Sequence, residues 1–223
     1  VLAPDGRRVI LWGDSIAASL YPGIREQAAG RSWRLAQLTT SNCPPFLDFD
    51  DQDNTYCRSI NDETRRAIDG LRVSTVILSA YWLKYDERGV DIIAHLGKTI
   101  DFLRSAGVED IVLVGPLPRW TPSLPRAIYR EWRRTGEVIA GMSKVGLVQS
   151  SNALDRKMKD FAQSRSVKYI SAIDLLCSFD TCRVSVGASW EDLTSFDSMH
   201  LTVPGARYFA LKMFLSLDGV EVR

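Results

Sequence analysis

The chain has 223 residues, 45% of them hydrophobic and 25% charged, which is enough to bury a full core. Twenty-eight basic residues against 27 acidic ones leave a net charge of +1, so no broad field draws nucleic acid or anionic lipid, and nucleic-acid binding is not expected. No apolar run approaches the roughly 20 residues that span a bilayer, and the opening Val-Leu-Ala-Pro-Asp-Gly-Arg-Arg does not resemble a secretion signal.

Arg8 to Trp12 is a short apolar run ending at Gly13 and reads as a strand. Ala17 to Ala29 has helical composition, with Pro22-Gly23 expected to bend or interrupt it. Trp33 to Leu38 reads as a second strand and Cys43 to Cys57 as a loop. Ser59 to Leu71 reads as a helix, because Ile60, Thr64, Ala67, Ile68 and Leu71 recur at helical spacing. Val73 to Ala80 is an apolar β-branched run, and Gly89 to Ala106 places Ile92, Ile93, Leu96, Ile100 and Leu103 on one helical face. Ile111 to Val114 is again a continuous apolar strand.

Pro116 to Gly136, rich in Pro, Arg and Trp, reads as an insertion, followed by a mixed stretch to Val148. Then come a helix over Ser151 to Ser164, a strand over Lys168 to Ile170 and a polar loop from Asp174 to Ser195. In the closing helix Ala206, Phe209 or Ala210, Met213 and Leu217 form an apolar stripe. Buried strands alternating with amphipathic helices argue for an α/β fold of three layers, a mainly parallel sheet covered on both faces. Ligands in such sheets bind at the carboxyl ends of the strands. No linker-like stretch divides the chain, so residues 1–223 are expected to form one domain. The lack of an initiator Met reads as a piece excised from a longer protein.

The cysteines fall into two local pairs, Cys43 with Cys57 and Cys177 with Cys182, each in a polar loop. Two disulfides are the simplest reading and imply an oxidising compartment, although four cysteines permit three pairings and reduced thiols are the alternative. Neither pair has the ligand spacing and nearby histidine of a zinc site, so no metal is expected, and no cofactor is implied.

Asp197-Ser198-Met199-His200 sets one of only two histidines three residues after a carboxylate and just before a helix start. A carboxylate that fixes an imidazole tautomer lets the other ring nitrogen take a proton from a serine hydroxyl. Ser15, in Gly13-Asp14-Ser15 at the end of the first strand, is the candidate partner. There it opens a helix whose first free amides can stabilise an oxyanion. The plainer alternative makes Ser15 a helix cap and His200 a structural histidine, with Thr202 capping the closing helix. Asp14 reads as a turn residue bonding local amides, and His95, mid-helix, as structural. Position 17 is Ala, which excludes the Gly-x-Ser-x-Gly elbow.

Taken together these motifs resemble the SGNH (GDSL-like) hydrolase superfamily, whose first block carries Gly-Asp-Ser and whose last is Asp-x-x-His. More narrowly, Leu11 to Ser15 with Ala17 to Pro22, then Cys43-Pro44-Pro45, Cys57, Cys177 to Cys182 and Asp-x-x-His-Leu-Thr-x-x-Gly-Ala resemble the periplasmic SGNH domain fused to acyltransferase-3 membrane proteins that O-acylate surface polysaccharides. The resemblance implies a flavodoxin-like sandwich with Ser15 as nucleophile, His200 as base and Asp197 as orienting acid. It also implies a periplasmic domain tethered to the inner membrane, with a fused membrane domain upstream as acyl supplier and a polysaccharide as acceptor.

The superfamily's oxyanion hole uses a Gly in the second block and an Asn in the third. Here Asn42 stands at the Gly position, and Ala80-Tyr81-Trp82 offers no Asn, leaving the Ser15 and Asn42 amides as the expected donors. Loss of one donor costs about 3 kcal/mol in other serine hydrolases, so slow turnover is expected. Ile16 is a second departure, where this fused subfamily often has His.

Arg119 to Arg134 carries five arginines with Trp120, Tyr129 and Trp132, a mixture suited to sugar rings or acidic glycan groups. Trp82 and Trp120 are the candidate substrate contacts. A solvated helix face and a contact with the membrane domain are the alternatives for that segment. The function expected is O-acyl, above all O-acetyl, transfer to a bacterial polysaccharide through an acyl-serine. A free-standing secreted carbohydrate esterase and a degraded glycan-binding module are the rivals.

Overall fold

A computed structural model describes residues 6–148 and 151–220. Most of the stretch read as unlike a secretion signal therefore lies outside the described residues. In chain order the elements are β1 (Arg8–Gly13), α1 (Ser15–Gly30), β2 (Arg34–Thr39), α2 (Cys57–Gly70), β3 (Thr75–Ser79), α3 (Trp82–Glu87), α4 (Ile92–Ser105) and β4 (Asp110–Val114). A two-residue strand β5 (Arg119–Trp120) precedes α5 (Leu124–Thr135), β6 (Met142–Ser143) and β7 (Leu147–Val148). Then follow α6 (Ser151–Ser164), β8 (Lys168–Ile170), α7 (Ala172–Leu176), β9 (Cys177–Ser178), β10 (Thr181–Arg183), a 3-10 turn over Trp190–Asp192 and α8 (Val203–Leu217).

The main sheet has the order β2-β1-β3-β4-β8, and every pairing in it is parallel. Its central strands are apolar without alternation because both faces are covered: Val9 to Trp12, Val76 to Leu78 and Ile111 to Val114 are all buried. With the strand order above, the right-handed crossover rule places α1 on one face and α2, α4 and α6 on the other, and α8 packs against α1. This is the flavodoxin-like three-layer sandwich, whose order reverses between β1 and β3, the crevice where such folds bind ligands.

Two expectations about helices are corrected. First, α1 runs through Pro22-Gly23 as one helix, so the interruption allowed for there does not occur. Proline removes one backbone donor, but the close seating of α1 on α8 offsets the loss: a Cβ on Gly23 would lie 2.0 Å from the Ala206 carbonyl oxygen. Second, α3 forms ahead of α4, so the helix read from Gly89 is preceded by another. Its anchor is Trp82, whose ring N–H donates to the Val114 carbonyl at 2.8 Å, a contact 32 residues away in sequence.

The segment after Pro116 and the loop after Asp174 pack together. Strand β5 pairs with β7, and β10 pairs with β6 and β9. Trp120, Leu124, Ile128, Cys182, Val184 and Leu193 then share a small second core apart from the main one. Sequence periodicity gave no sign of this, because each strand is two or three residues long. Both disulfides form as the local pairs, Cys43 with Cys57 and Cys177 with Cys182.

Candidate active site

Ser15 is the first residue of α1, directly after β1. The turn between them is tight because β1 and β3 lie close: a Cβ on Gly13 would fall 1.7 Å from the Ser79 carbonyl oxygen, so only glycine fits. Asp14 caps the helix, accepting the Ile16 N–H at 2.8 Å through Oδ1. Its Oδ2 accepts the Tyr81 N–H, also at 2.8 Å, which ties the end of β1 to the segment after β3. The local bond matches the turn role read from sequence; the bond to Tyr81 spans 67 residues and was invisible there. Burial pushes the Asp14 carboxyl up to about 6, although the Tyr81 and Ile16 amides and, more weakly, nearby His200 and Lys84 pull it back.

The loop before α8 supplies the other two groups. Thr202 caps α8 by accepting the Gly205 N–H at 3.0 Å, as the capping alternative foresaw, and it does so while His200 faces Ser15. His200 Nε2 lies 2.8 Å from Ser15 Oγ, and His200 Nδ1 lies 2.6 Å from Asp197 Oδ2. Asp197 Oδ1 accepts the backbone N–H groups of Met199 at 2.9 Å and His200 at 2.8 Å. Partial burial raises the Asp197 carboxyl, but those two amides and the imidazole outweigh it and hold the carboxyl below the usual range. A carboxylate that stays ionised and bound to Nδ1 leaves Nε2 as the nitrogen facing the hydroxyl.

The small second core braces this loop. The Trp120 N–H donates to the Ser198 carbonyl at 2.8 Å and the Leu124 N–H to the Asp197 carbonyl at 2.9 Å. Phe196, 58% exposed, stacks on the His200 ring with centroids 5.6 Å apart and planes 16° from parallel. Neither the brace nor the stack was singled out from sequence; a phenylalanine immediately before Asp197 was the one visible signal.

Asn42, expected as an oxyanion donor, has φ of +54°, the left-handed conformation that asparagine tolerates. Lys84 fixes its side chain, donating to Asn42 Oδ1 at 2.8 Å while pairing with Asp53 at 2.6 Å. The adjoining loop hangs on buried Asn61, which accepts the Trp12 ring N–H at 2.9 Å and donates to the Pro44 and Phe46 carbonyls. Ser15 heads its helix, where no earlier helical carbonyl exists to take its N–H. The Ile16 N–H is occupied by Asp14, and the Ile16 side chain is buried.

The two tryptophans expected as substrate contacts are elsewhere. Trp82 and Trp120 are each 1% exposed, the first in the main core and the second in the small core, so neither presents a ring face to a ligand. Their indoles fill interior volume; composition alone does not separate that from a surface role. His95 is structural, stacked on Phe46 at 5.1 Å and edge-on to Phe49 at 5.1 Å. Among the described residues no cluster of His, Cys, Asp and Glu is placed to hold a metal, and no helix is long and apolar enough to cross a membrane.

A parallel sheet of this order, with a serine, a histidine and an aspartate converging at its carboxyl edge, defines an SGNH-type acyltransferase or esterase. The chain belongs to the family described as the SGNH domain (fused to AT3 domains), whose family model matches residues 1–213. No curated protein matches the sequence significantly. Among solved structures, the periplasmic domain of the Salmonella ser. Paratyphi A lipopolysaccharide acetyltransferase is similar with a TM-score of 0.86 at 23% identity, covering 97% of this chain and 85% of that one. Est24, a carbohydrate acetylesterase from Sinorhizobium meliloti, is similar with a TM-score of 0.61 at 14% identity, covering 96% and 99%. The native M. Smegmatis aryl esterase is similar with a TM-score of 0.59 at 12% identity, covering 97% and 100%. At these identities the likeness is one of fold.

Proposed function

We propose that the chain is the periplasmic, glycan-facing domain of a bacterial membrane O-acyltransferase, passing an acyl group, above all acetyl, to a surface or secreted polysaccharide. The observation that carries the reading is the unbroken line from Ser15 Oγ through His200 to Asp197, with steps of 2.8 and 2.6 Å. Ser15 Oγ attacks the carbonyl carbon of the acyl donor while His200 Nε2 takes the hydroxyl proton. The oxyanion collects the Ser15 and Asn42 amides. Collapse breaks the bond to the leaving group, which receives that proton, and leaves acyl-Ser15. A sugar hydroxyl then gives its proton to His200 and attacks the ester, forming the glycan ester and returning the proton to Ser15 Oγ.

Fusion to AT3 domains in the family supports transfer, with the membrane part upstream as acyl supplier. Two disulfides fit an oxidising compartment on the far side of the inner membrane. Water in place of the sugar hydroxyl makes the same site an esterase, and the carbohydrate acetylesterase among its structural relatives supports the shared first half. The test is direct. A fluorophosphonate probe is expected to label Ser15 and not the Ser15→Ala protein, and Ser15→Ala in the full membrane protein is expected to abolish glycan acylation. Acylation undiminished in that variant overturns the proposal.

A further inference from the structure

Helix α5 carries a surface that the reaction above leaves unused. Tyr129, Trp132 and Trp190 are 51%, 37% and 43% exposed, yet their rings touch: Tyr129 to Trp132 at 5.7 Å, and Trp132 edge-on to Trp190 at 6.3 Å. Trp190 comes from the 3-10 turn, so two distant segments build one aromatic shelf. Beside it on α5 run Arg126, Arg130 and Arg133, at spacings of four and three residues that align them along one helical stripe. All three are exposed, and none pairs with an acid among the described residues, whereas Arg134 is held by Glu131. At 100° per residue the order around the helix is Trp132, Tyr129, Arg133, Arg126, Arg130. The shelf therefore borders the cationic stripe along its length.

The helix is also tied to the active site. Its first N–H, on Leu124, donates to the Asp197 carbonyl, and Trp132 follows eight residues later, about 12 Å along the axis at 1.5 Å per residue. A polymer that presents its hydroxyl at Ser15 and runs along α5 would meet this surface a few units away. Flat rings held at fixed angles match the apolar faces of pyranose rings, and unpaired guanidinium forks match carboxylates.

We infer that α5 and the Trp190 turn form a remote subsite for an acidic polysaccharide, with Tyr129, Trp132 and Trp190 stacking on sugar rings and Arg126, Arg130 and Arg133 binding uronate-type carboxylates. This rests on the glycan-acylating reading above and names the acceptor class. An anionic membrane is the competing occupant. Nothing in its chemistry calls for a helix anchored at Asp197, beside the reacting serine.

The test uses the Ser15→Ala chain, which binds without turnover, titrated calorimetrically with polygalacturonate fragments, neutral dextran and phosphatidylglycerol vesicles. Polygalacturonate is expected to bind, at least about tenfold tighter than dextran, and to weaken with added salt as exposed charges are screened. The triple variant Arg126→Gln, Arg130→Gln, Arg133→Gln and the single variant Trp132→Ala are each expected to weaken binding by about tenfold with melting temperatures unchanged. No polygalacturonate binding, binding indifferent to both variants, or a preference for vesicles lost in the triple variant overturns the inference. Each of these outcomes leaves the role of Ser15 intact, since that role stands or falls on probe labelling and glycan acylation.

Discussion

Asp14 Oδ2 accepts the Tyr81 N–H at 2.8 Å, so one buried carboxylate joins the turn that carries Ser15 to the segment after β3. Where the resemblance implies an asparagine, the third block has Tyr81, and its amide is taken up by Asp14. The same carboxylate accepts Ile16, which fixes the start of α1. The brace is made by ionised oxygens in a site that disfavours charge, and burial raises Asp14 from 3.8 to about 6.

A raised carboxyl binds its proton more tightly in the folded state, so folding gains from Asp14 at low pH and loses that gain as pH rises through about 6. A carboxyl raised that far corresponds to about 3 kcal/mol. Urea unfolding of the parent and of Asp14→Asn between pH 8 and pH 4 is expected to show their difference moving toward the parent by that amount, mostly between pH 6 and pH 4. A difference independent of pH contradicts the burial of this charge.

Asp197 holds His200 through one oxygen and its own loop through the other. Asp197→Asn keeps the size but presents the wrong tautomer to Ser15, and turnover of an aryl acetate is expected to fall by about 10³ to 10⁴-fold with little change in KM. Loss confined to KM would place Asp197 in binding and not in the relay.

The legible part of the molecule was its order of buried runs and short motifs. Val9 to Trp12, Val76 to Leu78 and Ile111 to Val114 announce strands covered on both faces, and Ser15, Asp197 and His200 announce each other through chemistry that needs all three. What stayed hidden depends on pairs distant in sequence. Trp120 is surrounded by arginines and prolines, which suggest an exposed segment, yet Cys182, Val184 and Leu193 bury it from the far end of the chain. Trp82 reads as a residue in place of an expected asparagine, but its ring N–H finds Val114 and its indole joins the main core. Tyr129 and Trp132 remain on the surface, and their partner Trp190 lies in a loop that carries no periodic signal at all.

Trp120 offers a direct measure of that correction. Its side chain is fully buried, so Trp120→Ala is expected to destabilise by about 3–5 kcal/mol through cavity formation, read by urea unfolding. Aryl acetate turnover is expected to fall with it, because the small core supports the carbonyls of Asp197 and Ser198. Unchanged stability with a raised KM for an acylated glycan would return Trp120 to the substrate surface.

The two disulfides close loops of different length and brace different halves of the site. Cys43 follows Asn42, and its bond to Cys57 anchors the left-handed turn to the start of α2 over a separation of 14 residues. Cys177 and Cys182, five apart, close the hairpin of β9 and β10. That hairpin leads to Val184, whose carbonyl accepts the Thr194 N–H, and the Thr194 carbonyl accepts the Thr202 N–H at the head of α8. On the chain-entropy relation, Cys43→Ser with Cys57→Ser is expected to cost about 3 kcal/mol, and Cys177→Ser with Cys182→Ser about 2 kcal/mol. The first pair borders Asn42, the proposed oxyanion donor, so its loss is expected to lower aryl acetate turnover the more strongly of the two. Urea unfolding and turnover measured on both double variants check the order, and a larger loss on both counts from the short hairpin reverses it.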